Sequence, residues 1–473
     1  MFDKHIYTNR RAQLQNNMDA GIILLLGNEE SPMSFPDNTY PFRQDSSFLY
    51  YVGLDKPHLA AILDLDEGTT TLFGDDFTID HIVWMGPQPT VAEMADASGI
   101  SKAKPYDELA QALKTTKSQN RPIHFLPPYR GENKIKLNAW LDIPISQLAE
   151  KASVELIKAI VAQRSVKSEE EIAELEHAVN ISGNMHLMTM SMAQKGISEG
   201  LLCGSAESIA VSMGAYPAYP VILTVNGQTL HNHYHGNRLQ SGQLVLGDFG
   251  SASPLHYAGD ITRTYPVDKT FTTQQKEIYN IVLKTEVDSI RAIRPGISYK
   301  EVHLQAAKII AQGLKELGVM KGDVDEAVNA GAHALFFPHG LGHMLGLDVH
   351  DMEDLGEDYV GYDDTVQRSK QFGLKSLRLA KALQPGYVLT VEPGIYFIPE
   401  LIDLWKRDNK FLDFINYNKL DAYRSFGGIR IEDDVLVTAS GAHILGKPIP
   451  KTVEEIERIR SQSKEKWPKP VAG

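Results

Sequence analysis

The segment His339–Asp351 restricts the possible fold of this chain more than any other stretch. It reads HGLGHMLGLDVHD, in which three histidines and two aspartates are separated by three glycines. Glycine allows tight turns and close approach of neighbouring backbone, so this composition favours neither a regular helix nor a regular strand. We predict a strand–turn–strand that directs imidazoles into a cavity; the alternative is a histidine-rich surface loop. The spacing differs from HExxH, in which two histidines lie one helical turn apart around a glutamate.

A divalent ion at this segment would need carboxylates from elsewhere, and four other segments can supply them. Each carries an acidic residue that ends or interrupts an apolar run: Leu244–Gly250, Tyr257–Arg263, Val388–Gly394 and Gly427–Asp434. Short apolar runs are usually buried strands, and acidic side chains are almost never buried unless they are paired or bind metal. Taken singly, each acid is equally well an ordinary strand-end residue. Together they predict an oxygen-rich site with one imidazole, which suits ions such as manganese and can hold two of them.

The chemistry of such a site follows from the ligands. Two ions that share carboxylates lie roughly 3.5–4 Å apart and can bridge a water, which becomes a hydroxide near neutral pH. This nucleophile attacks a carbonyl that one ion polarises. The residues alone therefore predict hydrolysis of an amide, an ester or a phosphoester.

The acidic segments and the histidine segment together resemble the pita-bread metallopeptidases. The positions that match the ligand set of this family are Asp248, Asp260, His343, Glu392 and Glu432. The phrases HGLGHMLGLDVHD, TVEPGIY and GGIRIEDD are similar to the Xaa-Pro branch, which contains prolidase and aminopeptidase P. The resemblance extends through Pro41–Gly53 into the N-terminal part, so it covers nearly the whole chain. It implies an α+β fold of two domains, an N-terminal α/β creatinase-like domain and a C-terminal pita-bread catalytic domain, with two Mn²⁺ ions (Co²⁺ or Zn²⁺ being possible).

Length and composition agree with a two-domain enzyme. A chain of 473 residues exceeds the size of one comfortable core, and 42% hydrophobic with 23% charged residues excludes general disorder. A net charge of −13 argues against nucleic acid as a partner. Cys203 is the single cysteine, which favours a reducing compartment. No apolar signal segment opens the chain and Ile22–Leu26 is too short to span a bilayer, so we expect a cytoplasmic protein with no membrane partner.

The organisation of the chain predicts where the domains meet. Residues 1–165 alternate between helix and strand patterns, which indicates a sheet with helices packed on it; the resemblance implies that this domain helps form a homodimer, or a dimer of dimers, and leans over the active site of a partner. The alternative is a packing domain without a catalytic role. Ser168 and Glu171 form a capping box that begins a helix, so the catalytic domain is expected over 166–473. Residues 401–426 are expected to be a long inserted loop.

Further site residues come from the resemblance. It implies that His231 and His350 flank the metals, where imidazole can donate to a developing oxyanion. It also implies that Glu392 both binds metal and carries the proton to the leaving amine, and that Tyr219 lies in the substrate pocket. His339 is expected to line the pocket, or to be a buried, hydrogen-bonded histidine. Arg430 lies two residues before Glu432, on the same strand face, where it can steady the acids or bind a carboxylate.

The expected substrates are proline-containing dipeptides or oligopeptides, cut between an N-terminal residue and proline. Arg378, fourteen residues before Glu392 (392 − 378), resembles the prolidase residue that binds the free carboxylate of a dipeptide, so a dipeptidase is favoured over an aminopeptidase that accepts longer chains. The alternative for Arg378 is a helix-surface arginine with a salt-bridge partner. A non-enzymatic binding module of the same fold and a metal-free amidinohydrolase like creatinase are disfavoured, because all five ligand positions are occupied by ligand residues.

Overall fold

The computed structural model describes residues 1–462, so residues 463–473 of the expected catalytic domain lie outside the described part of the chain. The chain divides into two compact units. The first contains Met1–Arg164 together with Met352–Tyr359, and the second contains Ser165–Asp351 together with the chain from Val360 onward.

The first unit is built on one five-stranded mixed sheet. Its strands are β1 (Ile22–Leu26), β2 (Ala60–Asp64), β3 (Thr69–Phe73), β4 (Lys102–Lys104) and β5 (Ile123–His124). Their order is β4-β3-β2-β1-β5, with β2 antiparallel to both neighbours and the two edge pairs parallel. The inner strand β1, which lies between β2 and β5, has the sequence IILLL and its first four residues are buried, as expected for a strand covered on both faces.

Eight helices accompany this sheet. They are α1 (Lys4–Asn16), α2 (Ser46–Val52), α3 (Ile79–Met85), α4 (Val91–Ala97), α5 (Glu108–Ser118), α6 (Gly131–Leu141), α7 (Leu148–Lys151) and α8 (Val154–Ser165). Helix α2 is buried along its length and begins at Asp45, whose carboxylate accepts the Phe48 amide, a standard N-cap. It ends at Gly53, whose φ of 75° belongs to the left-handed region that favours glycine.

The second unit has three small antiparallel sheets. Its strands are β6 (Ile222–Thr224), β7 (Leu244–Asp248), β8 (Thr262–Pro266), β9 (Val388–Val391), β10 (Gly394–Tyr396), β11 (Gly428–Arg430), β12 (Asp433–Val437) and β13 (Ala442–Ile444). The strand orders are β6-β7-β8, β13-β12-β9 and β10-β11. An isolated bridge between Thr262, the first residue of β8, and Glu432, the residue before β12, joins the β6-β7-β8 sheet to the β13-β12-β9 sheet.

The helices of the second unit cover these sheets. They are α9 (Glu169–Met192), α10 (Glu199–Ser212), α11 (Thr273–Ala292), α12 (Tyr299–Glu316), α13 (Val324–Ala330), α15 (Pro399–Arg407), α16 (Tyr417–Leu420) and α17 (Val453–Gln462), while α14 (Glu357–Val360) begins in the segment that belongs to the first unit. The predicted capping box is confirmed: α9 begins at Glu169, and the Glu171 carboxylate accepts the Ser168 amide at 3.1 Å. Ile310 and Leu314 of α12 are fully buried, and each such side chain contributes about 1.5–3 kcal/mol.

The expectation of a loop over residues 401–426 is wrong. Helix α15 occupies the first part of this stretch, with Pro399 at its first position and Ile402 and Trp405 buried, and α16 follows. The Asp, Asn and Lys content of this stretch favours a loop, but its apolar residues at helical spacing favour an amphipathic helix. Within residues 1–462, no helix combines the length and apolar character needed to cross a membrane.

Candidate metal centre

Strand ends bring the four predicted carboxylates to one place. Asp248 ends β7 and pairs in register with Thr262, the first residue of β8, so that Asp260 lies just before that strand. Glu392 follows β9 directly, and Glu432 precedes β12, which is antiparallel to β9. The backbone amide of Glu432 donates to the Thr262 carbonyl at 3.1 Å. The β7–β8 pair and the β9–β12 pair therefore present their acidic residues to a common site.

The histidine segment reaches this site by lying against β9. The Thr390 amide donates to the His343 carbonyl at 3.0 Å, and the His343 amide donates to the Thr390 hydroxyl at 3.2 Å. This approach requires glycine at 342, because a Cβ there would lie 2.0 Å from the Thr390 carbonyl oxygen. His343 Nδ1 lies 3.0 Å from the Met344 carbonyl, to which it can only donate. Nε2 is then left 3.3 Å from Asp260 Oδ2 and 3.8 Å from Glu392 Oε1.

The ligand cluster, which we define as Asp248, Asp260, His343, Glu392 and Glu432, is tightly assembled. Asp260, His343 and Glu432 are buried and each offers a ligand atom within 4.8 Å of the others. Asp248 is tied to Asp260 through Tyr219, whose hydroxyl lies 2.6 Å from Asp248 Oδ1 and also contacts Asp260 Oδ1. The backbone amide of Asp260 donates to the Asp434 carboxylate at 2.8 Å.

The pKa values in the cluster reflect burial first and the charges of neighbouring groups second. Burial raises the pKa of Glu392 to about 7, against the opposing effect of His343 and Arg430. Burial, reinforced by Asp260 and Glu392, raises the pKa of Glu432 well above its ordinary value. Burial also raises the pKa of Asp248 although Arg430 opposes it. For Asp260, hydrogen bonds from His343 and Tyr219 outweigh burial and lower the pKa.

These residues fit a divalent cation centre. Buried carboxylates that repel one another are stabilised by cations, and the donor set of four carboxylates and one imidazole suits hard or borderline ions. The orientation of His343 agrees with this assignment, because metal-bound imidazoles almost always donate their other ring N–H to a carbonyl or carboxylate. Each residue of the ligand cluster is less than one-fifth exposed. Few water molecules can therefore compete with a cation for the carboxylates.

Comparison with known proteins identifies the family. Residues 173–439, more than half of the chain, match the model of metallopeptidase family M24, and residues 7–124 match the model of the aminopeptidase P N-terminal domain. The chain belongs to metallopeptidase family M24. The predicted two-domain fold of mixed helix and sheet and the resemblance to the prolidase and aminopeptidase P branch are thereby confirmed, and the chain is a metallopeptidase.

Individual M24 relatives match along most of their length. Human Xaa-Pro dipeptidase is 34% identical over 446 residues, which cover 92% of this chain and 88% of the relative. The Xaa-Pro aminopeptidase of Escherichia coli strain K12 is 32% identical over 472 residues, which cover 96% of this chain and 97% of the relative. Among solved structures, Zn-substituted E. coli aminopeptidase P in complex with product superposes with a TM-score of 0.81 at 30% identity, covering 98% of this chain and 100% of that chain.

His350 lies beside the ligand cluster of this M24 chain, and His231 lies within electrostatic range of it. The His350 ring is 4.3 Å from the His343 ring, centroid to centroid, and its charge lowers the pKa of Asp260 after the contributions of His343 and Tyr219. His231 is the more exposed histidine. Partial desolvation lowers its pKa, whereas Asp248 acts in the opposite direction. Both imidazoles are therefore within electrostatic range of the carboxylates.

Arg430 is buried and contacts an acidic residue of the ligand cluster. It is 3% exposed, and its Nη2 contacts Asp248 Oδ2. Of the two roles that the sequence left open, the structure supports the steadying of the acidic cluster. Arg430 Nη1 also donates to the Tyr396 hydroxyl at 2.8 Å.

Two residues that contact the predicted site residues were not singled out from the sequence. Tyr396 links Arg430 to His339: the Tyr396 hydroxyl lies 2.9 Å from His339 Nε2, while His339 Nδ1 lies 2.8 Å from the Gly340 carbonyl. His339 therefore donates to Gly340 and accepts from Tyr396. Thr262 contacts both Glu432 and Arg430. The available signals were the place of Tyr396 in TVEPGIY and the place of Thr262 two residues after Asp260.

Tyr219 and Arg378 lie near the site in different ways. The Tyr219 hydroxyl contacts both Asp248 and Asp260, so this residue touches two members of the ligand cluster. Arg378 is partly buried. Burial lowers the pKa values of His231 and His339, and the positive charge of Arg378 adds to that effect in both.

Proposed function

We propose that this chain is a dinuclear metal-dependent exopeptidase that hydrolyses the bond between an N-terminal residue and proline. The observation that carries this proposal is the convergence of Asp260, Glu392 and Glu432 around His343, with Asp248 joined to Asp260 through the Tyr219 hydroxyl. Relatives named Xaa-Pro dipeptidase and Xaa-Pro aminopeptidase support the substrate class. Two Mn²⁺ ions are the proposed cofactors, and the same donor set accepts Co²⁺ or Zn²⁺.

When bound, two such ions supply a nucleophilic water and polarise the scissile carbonyl. Glu392 is proposed both as a ligand and as the carrier of a proton to the leaving proline nitrogen, which must be protonated as the bond breaks. His350 and His231 are proposed to donate hydrogen bonds to the oxyanion that develops on the carbonyl. Arg430 keeps Asp248 oriented through their direct contact.

The dipeptidase is the favoured specificity, and Arg378 is its basis. Arg378 lies within electrostatic range of His231 and His339, where the C-terminal side of a short substrate is proposed to bind. A guanidinium that pairs with a free carboxylate gains strength and fixed geometry. A longer peptide offers a neutral amide at that point and loses the charge-assisted hydrogen bonds of a free carboxylate, which contribute about 1.5–3 kcal/mol each.

The experiment compares kcat/KM for an Xaa-Pro dipeptide with that for the same peptide extended by one residue. The dipeptidase proposal expects the dipeptide to be cleaved at least about 100-fold better, a difference of about 2.7 kcal/mol. Arg378→Met should remove this preference by slowing the dipeptide, whereas the exposed Lys375, changed to Met, is the matched control and should keep it. Equal or better cleavage of the tripeptide by the native chain would overturn the dipeptidase assignment.

An Xaa-Pro aminopeptidase acting on longer peptides is the second candidate. It is favoured by the E. coli aminopeptidase, which aligns over nearly the full length of both chains, and by the superposition that covers the whole of the E. coli structure. Tripeptide cleavage at or above the dipeptide rate would select it. The metal chemistry proposed above is common to both candidates.

A homodimer, or a dimer of dimers, is proposed through the N-terminal unit. Helix α3 exposes Ile79 and Val83 at 72% each and Trp84 at 86%, and exposed apolar residues of this size mark interaction surfaces. Sedimentation of the native chain beside Trp84→Glu tests this, with a monomeric native chain as the contrary result. A cytoplasmic location is proposed on the lone cysteine, Cys203, which has no partner in the sequence for an intrachain disulfide.

A further inference from the structure

Thr262 lies at the junction of the two sheets that supply the ligand cluster. It is the first residue of β8, it is fully buried, and it pairs in register with Asp248. Its backbone carbonyl accepts the Glu432 amide at 3.1 Å. Its hydroxyl oxygen lies 2.6 Å from Glu432 Oε2. The residue therefore contacts Glu432 through both its main chain and its side chain.

The direction of these hydrogen bonds is determined by Arg430. The Arg430 Nε lies 3.1 Å from the Thr262 hydroxyl oxygen, and a guanidinium can only donate. The hydroxyl therefore accepts from Arg430, and its single proton is available to Glu432. Arg430 is itself held by Asp248 and by the Tyr396 hydroxyl, so the donor to Thr262 is fixed.

A glutamate needs such a contact to hold a defined orientation. The terminal torsion of a glutamate side chain has a broad distribution, so packing alone leaves the plane of the carboxylate weakly determined. A donor on one oxygen fixes that plane, and partners of this kind around metal ligands typically change metal affinity 10–100-fold.

We propose that Thr262 is a positioning residue for Glu432. Its hydroxyl holds Oε2 so that the carboxylate is presented to the metals in one orientation, and Arg430 ensures that the hydroxyl proton points to Glu432. This inference rests on the proposed role of Glu432 as a metal ligand. It assigns to Thr262 no contact with substrate.

Direct measurement of metal affinity tests the proposal. Thr262→Val removes the hydroxyl but keeps the β-branched shape, and Thr262→Ser restores the hydroxyl. The matched control is Thr285→Val: Thr285 is also fully buried, but it lies on α11, and its hydroxyl donates to the Ile281 carbonyl at 2.7 Å instead of to a carboxylate. The dissociation constant of Mn²⁺ is measured by calorimetric titration of the metal-free chain.

The expected result is a 10–100-fold weaker Mn²⁺ affinity for Thr262→Val, an affinity within about threefold of native for Thr262→Ser, and a native affinity for Thr285→Val. The visible spectrum of the Co²⁺-loaded chain should change in Thr262→Val and not in Thr285→Val, which a purely structural role would not produce. Equal affinities in Thr262→Val and Thr285→Val would overturn the proposal. If Thr262→Val does not fold, Thr262→Ala carries the same expectation. A native chain that binds no Mn²⁺ would instead refute the proposed function.

Discussion

Two groups of buried charged residues lie on opposite sides of the same extended segments, and their charges balance differently. Glu432 belongs to the ligand cluster and Thr262 contacts it, whereas the next residues, Asp433 and Arg263, belong to a second group. Successive side chains of extended backbone alternate in direction. We define this ion-pair cluster as Arg263, Glu286, Asp433 and Lys451.

Each acid of the ion-pair cluster has a cationic partner inside the protein, although burial still raises the pKa of Glu286 to about 8. Arg263 lies 2.6 Å from Asp433, and Lys451 lies 2.6 Å from Glu286 and also contacts Asp433, so two cations face two carboxylates. Burial alone would raise the pKa of Asp433, but Arg263 and Lys451 outweigh it and lower the pKa to about 2. Arg263 also donates to the Glu432 carbonyl at 2.7 Å. This cluster therefore holds the backbone of Glu432 from the side opposite to the ligand cluster.

The ligand cluster has four carboxylates and far less positive charge. Arg430 pairs with Asp248, and His343 lies nearest to Asp260. The pKa values of Glu392 and Glu432 are raised, first by burial. The comparison shows how similar buried acids acquire different roles. Acids whose counterions are residues of the protein are structural, whereas acids without such counterions can bind cations from solution.

The largest expected effect is the loss of catalysis in Glu392→Gln. The substitution keeps the size of the side chain but removes its proton transfer and its charge, so kcat for an Xaa-Pro dipeptide should fall by about 10³-fold or more. The matched variant in the other cluster is Glu286→Gln, which should keep kcat within about threefold. Unchanged kcat in Glu392→Gln would refute the proton-transfer role.

Neighbouring substitutions should change the stability of the metal-free chain in opposite directions. Asp433→Asn leaves Arg263 without its anionic partner and should destabilise by about 3–5 kcal/mol. Glu432→Gln removes a carboxylate whose burial is uncompensated and should stabilise by on the order of 1 kcal/mol. Urea unfolding in the presence of a chelator measures both. Destabilisation of similar size by the two changes would contradict the distinction between the clusters.

The stabilising effect of metal should follow the same distinction. Mn²⁺ at about 100 times its dissociation constant should stabilise the native chain by about 2.7 kcal/mol, and a chelator should reverse this. Glu432→Gln should lose most of the effect because it lacks a ligand carboxylate. Asp433→Asn, although less stable, should retain it, and thermal unfolding with and without Mn²⁺ measures the three responses.

Sequence patterns predicted the acidic residues of the site because each interrupts an apolar run. Asp248 ends β7 and Glu392 follows β9, and a carboxylate in such a context demands a partner or a metal. The same reasoning did not separate Glu432 from Asp433. Their different partners depend on Arg263 and Lys451, which are far apart in sequence and meet Asp433 only in the fold.

Residues that act through hydrogen bonds were harder to predict. A buried threonine in a strand is common, and nothing in GDITRTY distinguishes the Thr262 hydroxyl, which contacts Glu432, from that of Thr264, which contacts a backbone carbonyl. In TVEPGIY, the charge of Glu392 indicates a ligand, whereas nothing in the sequence indicates that Tyr396 contacts His339 and Arg430. Helix α15 is hard to predict because most of its residues are polar or charged. Its buried face contains only Ile402 and Trp405.

The smallest expected effect concerns a third charged group, in the N-terminal unit, where solvent weakens each interaction. His58 lies 3.2 Å from Glu29 and 3.4 Å from Asp75, and its side chain is 47% exposed. The hydrogen bond with Glu29 raises the pKa of His58 above its ordinary value of 6.5. The stabilisation should therefore be complete below pH 6.5 and should be lost as the pH rises through the raised pKa.

His58 has a φ of 59°, which Asn tolerates, so His58→Asn is the suitable variant. Because exposed ion pairs are screened, it should be less stable than the native chain by about 0.5 kcal/mol at pH 6 and by less at pH 9. A difference in melting temperature that is equal at both pH values, or larger at pH 9, would show that the charge of His58 contributes nothing and that only its stacking on Tyr106 matters.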